Sequence, residues 1–150
     1  MPEPSMSVPA RDQPMPEYDP ERLADVAQRY GLRLVVLYGS HAKHRAGPES
    51  DLDIAVLGCR AEEFLDCYTD LAEAFQRYSM DLVRLEDADP LLRQEIMHQG
   101  ILLRGDPDSF YEYRAYAYRD FVDSSDLFAL EDLLYRKKMA RMKEKLYGSA

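Results

Sequence analysis

Two short apolar runs, Leu34-Val35-Val36-Leu37 and Ile54-Ala55-Val56-Leu57, stand on either side of a polar stretch that begins Gly39-Ser40 and ends Asp51-Leu52-Asp53. Runs this short, rich in β-branched and aliphatic residues and apolar at every position, read as strands covered by helices on both faces. Side chains alternate along a strand, so Asp51 and Asp53 leave the second strand on the same side. Two carboxylates placed that close repel each other and lose hydration unless a cation lies between them. Carboxylate oxygens suit Mg2+, which typically takes one or two carboxylates together with substrate phosphates. A strand that ends in Gly-Ser and leads into a helix offers backbone N–H groups and a hydroxyl to a phosphate. A phosphate cradle beside metal-binding carboxylates is the outline of a nucleotidyl-transfer site.

The rest of the chain supplies the covering helices. Pro20 to Tyr30 places Leu23, Val26, Ala27 and Tyr30 on one face and stops at Gly31. Ala61 to Tyr78 repeats Phe64, Leu65, Tyr68, Leu71, Ala72 and Phe75 at helical spacing. Met80 to Leu85 reads as a third strand, Pro90 to Gln99 as a helix with Leu91, Leu92, Ile96 and Met97 apolar, and Ile101-Leu102-Leu103 as a short edge strand. Alternating elements of this kind predict an α/β (α+β) domain, a small mixed sheet flanked by helices. From Asp106 and Pro107 onward the pattern is helical, with a break near Ser124-Ser125. The expected organisation is a disordered tail over 1–19, a catalytic domain over 20–105, and C-terminal helices over 106–150 packing on that same domain.

Composition narrows the function. A formal net charge of −9 argues against direct nucleic-acid binding, which needs a basic surface to neutralise phosphates. Cys59 and Cys67 form neither a disulfide framework nor a metal-ligand spacing, which fits a reducing cytoplasm. There is no long apolar run for a membrane span and no secretory leader. Residues 1–19 hold five of the nine prolines and too few large aliphatic side chains to order themselves.

Gly39-Ser40, ten intervening residues, then Asp51-Leu52-Asp53 resembles the signature of the DNA polymerase β-like nucleotidyltransferase superfamily. Gly39-Ser40-His41-Ala42-Lys43 and Ser50-Asp51-Leu52-Asp53-Ile54-Ala55-Val56 more closely resemble the MNT (minimal nucleotidyltransferase) antitoxins, with His44 where that family commonly has glycine. The resemblance implies ATP as donor, two Mg2+ ions, and a third carboxylate beside Asp51 and Asp53. Asp81, an isolated acid in the apolar run Met80-Asp81-Leu82-Val83, is the candidate; Asp87 and Asp89 sit in a polar loop and are weaker ones. On this reading Asp51, Asp53 and Asp81 are the metal ligands and catalytic acids, and Gly39, Ser40 and Lys43 contact the phosphates. Lys43 reads equally well as a solvated helix residue. His41 and His44 are read as surface residues, because Mg2+ prefers oxygen. Arg84 is left outside the site.

The resemblance further implies a protein adenylyltransferase that acts as antitoxin by transferring AMP to a partner toxin, a HEPN-family ribonuclease. Two alternatives stand beside it. One is a small-molecule nucleotidyltransferase of the aminoglycoside-modifying type, which usually carries an extra helical domain for its acceptor. The other is an antitoxin that works by binding alone.

Overall fold

The computed structural model describes residues 16–39, 52–77 and 79–148. Four strands form one sheet: β1 (Leu34–Tyr38), β2 (Leu52–Leu57), β3 (Met80–Arg84) and β4 (Ile101–Gly105). The order across the sheet is β3-β2-β1-β4. β1 runs antiparallel to both β2 and β4, while β2 and β3 are parallel. The two apolar runs are therefore the two central strands, and Leu34 to Leu37 and Ile54 to Val56 are fully buried. The expected mixed sheet with helices on both faces is what forms.

Alternation along the strands sorts the core into two layers. Val35, Leu37, Ile54 and Val56 face α1 (Pro20–Tyr30) and α2 (Phe64–Phe75). Leu34, Val36 and Ala55 face α3 (Pro90–Gln99) and α4 (Pro107–Tyr147). α1 forms as the periodicity predicts: Asp19 accepts hydrogen bonds from the N–H groups of Glu21 and Arg22, and Gly31 closes the helix in the left-handed region at φ 66°. Its buried residues are Leu23, Val26, Ala27 and Tyr30. The anticipated tail over 1–19 lies outside the described residues up to residue 15. Residues 16–19 are packed on the body, with the Asp19 N–H donating to the Ala74 carbonyl and Tyr18 against Phe75 at 5.2 Å.

Two expectations about the helices are corrected, and one buried charge is new. The helix anticipated over Ala61 to Tyr78 begins as a 3-10 turn (Ala61–Glu63), continues as α2, and ends at Gln76, which takes φ 54°. Its core face is carried by Cys67, Leu71, Ala74 and Phe75, whereas Leu65 is 78% exposed. In α3 the guanidinium of Arg93 is buried: Nε donates to the Leu85 carbonyl, a second nitrogen donates to the Glu86 carbonyl, and a third pairs with Asp120 of α4 at 3.1 Å. α4 is a single helix through Ser124-Ser125, where a break was expected. Only its first half packs on the body, through Phe110 and Ala117.

Two measurements follow from this packing. Phe110 has no solvent exposure and anchors α4 to the sheet, so Phe110→Ala should cost about 3–5 kcal/mol in denaturant unfolding. Tyr30 donates a hydrogen bond to Asp70 at 2.6 Å; that bond, then burial, pushes its phenol up to about 12. A raised folded value means that this contribution to stability is complete below the ordinary tyrosine value near 10 and is lost as pH rises towards 12. Ultraviolet titration should show a late-ionising tyrosine that Asp70→Asn moves back towards 10.

Candidate active site

β2 and β3 are in register, with Asp53 opposite Asp81. Register partners on neighbouring strands sit about 4.8 Å apart and project to the same side of the sheet. That side is the one covered by α3 and α4 farther along the strands, because Ile54 and Leu82 point the other way into the α1/α2 layer. Asp53 is half-buried and Asp81 exposed. The structure therefore brings together two acids 28 positions apart in sequence. Asp81 belongs to a strand and caps no helix.

The turn after β1 closes over the same pair. Tyr38 is the register partner of Asp53 across β1 and β2, and Gly39 follows with φ 74°. A Cβ built on Gly39 would overlap the Asp53 carboxylate, only 2.9 Å from its Cγ. The absence of a side chain at 39 is thus required twice, by the left-handed backbone and by the close approach of Asp53. Ser40, His41, Lys43, His44 and Asp51 lie outside the described residues. Among the described residues Asp53 and Asp81 form a pair, and no group of three potential metal ligands gathers.

Tyr38 is the residue that sequence reasoning passed over. Its phenol is pushed up to about 12, first by burial and then by the negative charge of Asp53 and Asp81. The tyrosine therefore stays neutral beside the acids at any ordinary pH and forms a partly buried wall to the site. Its one sequence cue is its position directly before Gly39-Ser40.

The neighbouring polar residues have structural work elsewhere. Asp89 caps α3 by accepting from the Leu92 N–H at 2.8 Å. Asp87 pairs with Arg84 at 2.6 Å. Arg84 also donates to the Cys59 carbonyl at 2.7 Å, which holds the loop after β2 against the end of β3. Asp89→Ala should therefore cost about 0.5–2 kcal/mol of stability through the lost cap, measurable by thermal unfolding.

The donor set fits a hard divalent cation. The described groups are carboxylate oxygens on one face, with no soft or nitrogen ligand between them, beside a turn whose Gly39 carries no side chain. A donor set of this kind suits a metal–triphosphate at this end of the strands.

Known proteins point the same way. The family model described as polymerase beta, nucleotidyltransferase matches residues 21–108, which contain all four strands and the whole candidate site. A comparison with curated protein sequences finds no match. Among solved structures, one chain of a toxin–antitoxin complex crystallised with AMP-PNP superposes with a TM-score of 0.61 at 22% identity, over 77% of this chain and 98% of that one. A chain of a re-refined complex of a tri-AMPylated Shewanella oneidensis HEPN toxin with an MNT antitoxin gives 0.55 at 21% identity, over 77% and 95%. A chain of the MntA–HepT toxin–antitoxin complex gives 0.55 at 21%, over 77% and 96%. At these identities the likeness is one of fold. The family match spans more than half of the sequence and includes Gly39, Asp53 and Asp81: this chain belongs to the polymerase β nucleotidyltransferase family.

Proposed function

We propose that this chain is an MNT-type antitoxin that transfers AMP from ATP to a HEPN-family ribonuclease toxin. The observation that carries the reading is the in-register pair Asp53 and Asp81 beside the side-chain-free turn at Gly39, in a chain whose family is that of nucleotidyltransferases. The partner is suggested by the fold neighbours, one of which is a complex of an AMPylated HEPN toxin with an MNT antitoxin. A net charge of −9 adds a physical reason, since a ribonuclease must present basic surface to its RNA and an acidic chain is steered towards it.

Asp51, Asp53 and Asp81 would hold Mg2+, and Gly39, Ser40 and Lys43 would take the triphosphate. When bound, the cation offsets the charge of the triphosphate and of the departing pyrophosphate. The protein's own part is placement. Gly39 lets a phosphate come close to the backbone, Ser40 donates its hydroxyl, and Tyr38 shields one side of Asp53 from water. Asp81 is the more exposed acid, which suits it to the acceptor side, where it takes the proton of the incoming hydroxyl. That oxygen bonds to the α-phosphorus as the bond to pyrophosphate breaks.

Asp81→Asn should accordingly keep its affinity for ATP with Mg2+, measured calorimetrically, and lose transfer. Asp87→Asn and Asp89→Asn should retain transfer. The whole reading is tested by incubating the purified chain with α-labelled ATP, Mg2+ and either a HEPN-family toxin or an aminoglycoside. Label should enter the protein. Label in the aminoglycoside alone would assign the chain to small-molecule modification.

A further inference from the structure

Beyond Ser124 every residue of α4 up to Tyr147 is exposed except Met139, which is half-buried. This segment is neither short nor polar. Leu130 and Leu134 are 50% and 55% exposed and Phe128 is 73% exposed. A helix that carries large apolar side chains into solvent gains nothing from tertiary packing, the usual source of helix stability.

The charges on this segment are sorted by position. Residues 120–132 contain five acids and no Lys or Arg; residues 136–147 contain six Lys or Arg and one Glu. Asp120 and Asp132 are committed within the chain, to Arg93 and Arg136. Three of the remaining charges share a seam with leucines: Asp123, Leu127, Leu130, Leu134, Lys137 and Arg141 follow one another at spacings of four, three, four, three and four. That is heptad spacing, and from Asp123 to Arg141 it spans about 27 Å, about two and a half heptads. The seam is acidic at one end, leucine in the middle and basic at the other.

We propose that this seam is an antiparallel, two-fold symmetric dimer interface, and that its occupant is α4 of a second copy of this chain. A parallel pairing would set acid on acid and base on base. An antiparallel pairing with Leu130 opposite Leu134 of the second copy sets Asp123 opposite Arg141, twice over by symmetry. The basic end alone would suit RNA phosphates, but the acidic end and the leucines on the same face would repel or idle against a polyanion. The pairing leaves the Asp53 and Asp81 edge of the sheet outside the interface residues named here, so it stands independently of the proposed transfer activity.

Sedimentation equilibrium of the full chain, without nucleotide or partner, is the test. The wild type should show twice its 17.4 kDa mass at micromolar concentration. Leu130→Asp combined with Leu134→Asp should raise the dimer dissociation constant about a hundredfold or more, since it places unpaired charge in the seam. Arg141→Glu should raise it roughly tenfold. Adding Asp123→Lys to that same chain should bring it back to within about threefold of wild type, because only an antiparallel pairing restores that contact. All these positions are exposed, and circular dichroism should show unchanged folding of the body. A wild-type chain that stays monomeric at high micromolar concentration overturns the proposal. So does a dimer indifferent to the leucine changes, one that the double charge reversal fails to restore, or a monomer that instead retains an RNA oligonucleotide.

Discussion

Asp53→Asn should abolish nucleotidyl transfer while leaving the protein folded. Asp53 stands at the centre of the site: it is opposite Asp81 on β3, opposite Tyr38 on β1, and in contact range of the Gly39 backbone. The substitution keeps the shape of the side chain and removes its charge. A bound cation contributes several kcal/mol to stabilising developing charge in phosphoryl chemistry, so losing a ligand should lower the transfer rate roughly a thousandfold or more. Titration with Mn2+ as a spectroscopic substitute for Mg2+ should show weakened metal binding independently of activity. In metal-free buffer the melting temperature should be unchanged or slightly higher, because one of two like charges has been removed. A variant with normal transfer in Mg2+ would contradict the role assigned to this carboxylate.

Gly39→Ala should be nearly as damaging, though it adds one methyl group and no charge. The backbone at 39 has φ 74°, a conformation that costs an L-residue roughly 1–2 kcal/mol. The new Cβ would also overlap the Asp53 carboxylate. The turn or the carboxylate must shift, and a displacement of the order of 1 Å in a reacting constellation can cost roughly a hundredfold in rate. The expected result is a folded protein with a modest drop in melting temperature, weakened binding of both nucleotide and metal, and transfer reduced about a hundredfold. Gly39→Ala with wild-type kinetics would mean that the turn has room to spare.

The central strands and α1 were legible because each rests on a local signal: an unbroken apolar run, or a cap residue, a periodic face and a terminating glycine. The strand that sets Asp81 beside Asp53 was legible for a related reason, an isolated acid inside an apolar run. Tyr38 was not, since a tyrosine ending an apolar strand looks like any core residue until β2 and β3 bring Asp53 and Asp81 beside it. The burial of Arg93 was hidden too. Its partners are two backbone carbonyls and Asp120, 27 residues away on another helix, and a charged residue inside a helix is ordinarily solvated. The core face of α2 was misjudged because Cys67 and Ala74 are small and carry little apolar signal, whereas Leu65 carries much and is exposed. Ser124-Ser125 did not break α4, as serine costs a helix interior only a few tenths of a kcal/mol relative to the best helix formers.

Intact mass spectrometry of a HEPN-family toxin, after incubation with ATP, Mg2+ and this chain, tests the proposed activity most directly. The partner should gain mass in steps of one AMP group and lose ribonuclease activity in parallel, since each group adds bulk and negative charge where RNA phosphates bind. The Asp53→Asn chain should leave it unmodified and active. A partner of unchanged mass, silenced equally by the wild-type and Asp53→Asn chains, would contradict transfer and make this protein an inhibitor that acts by contact.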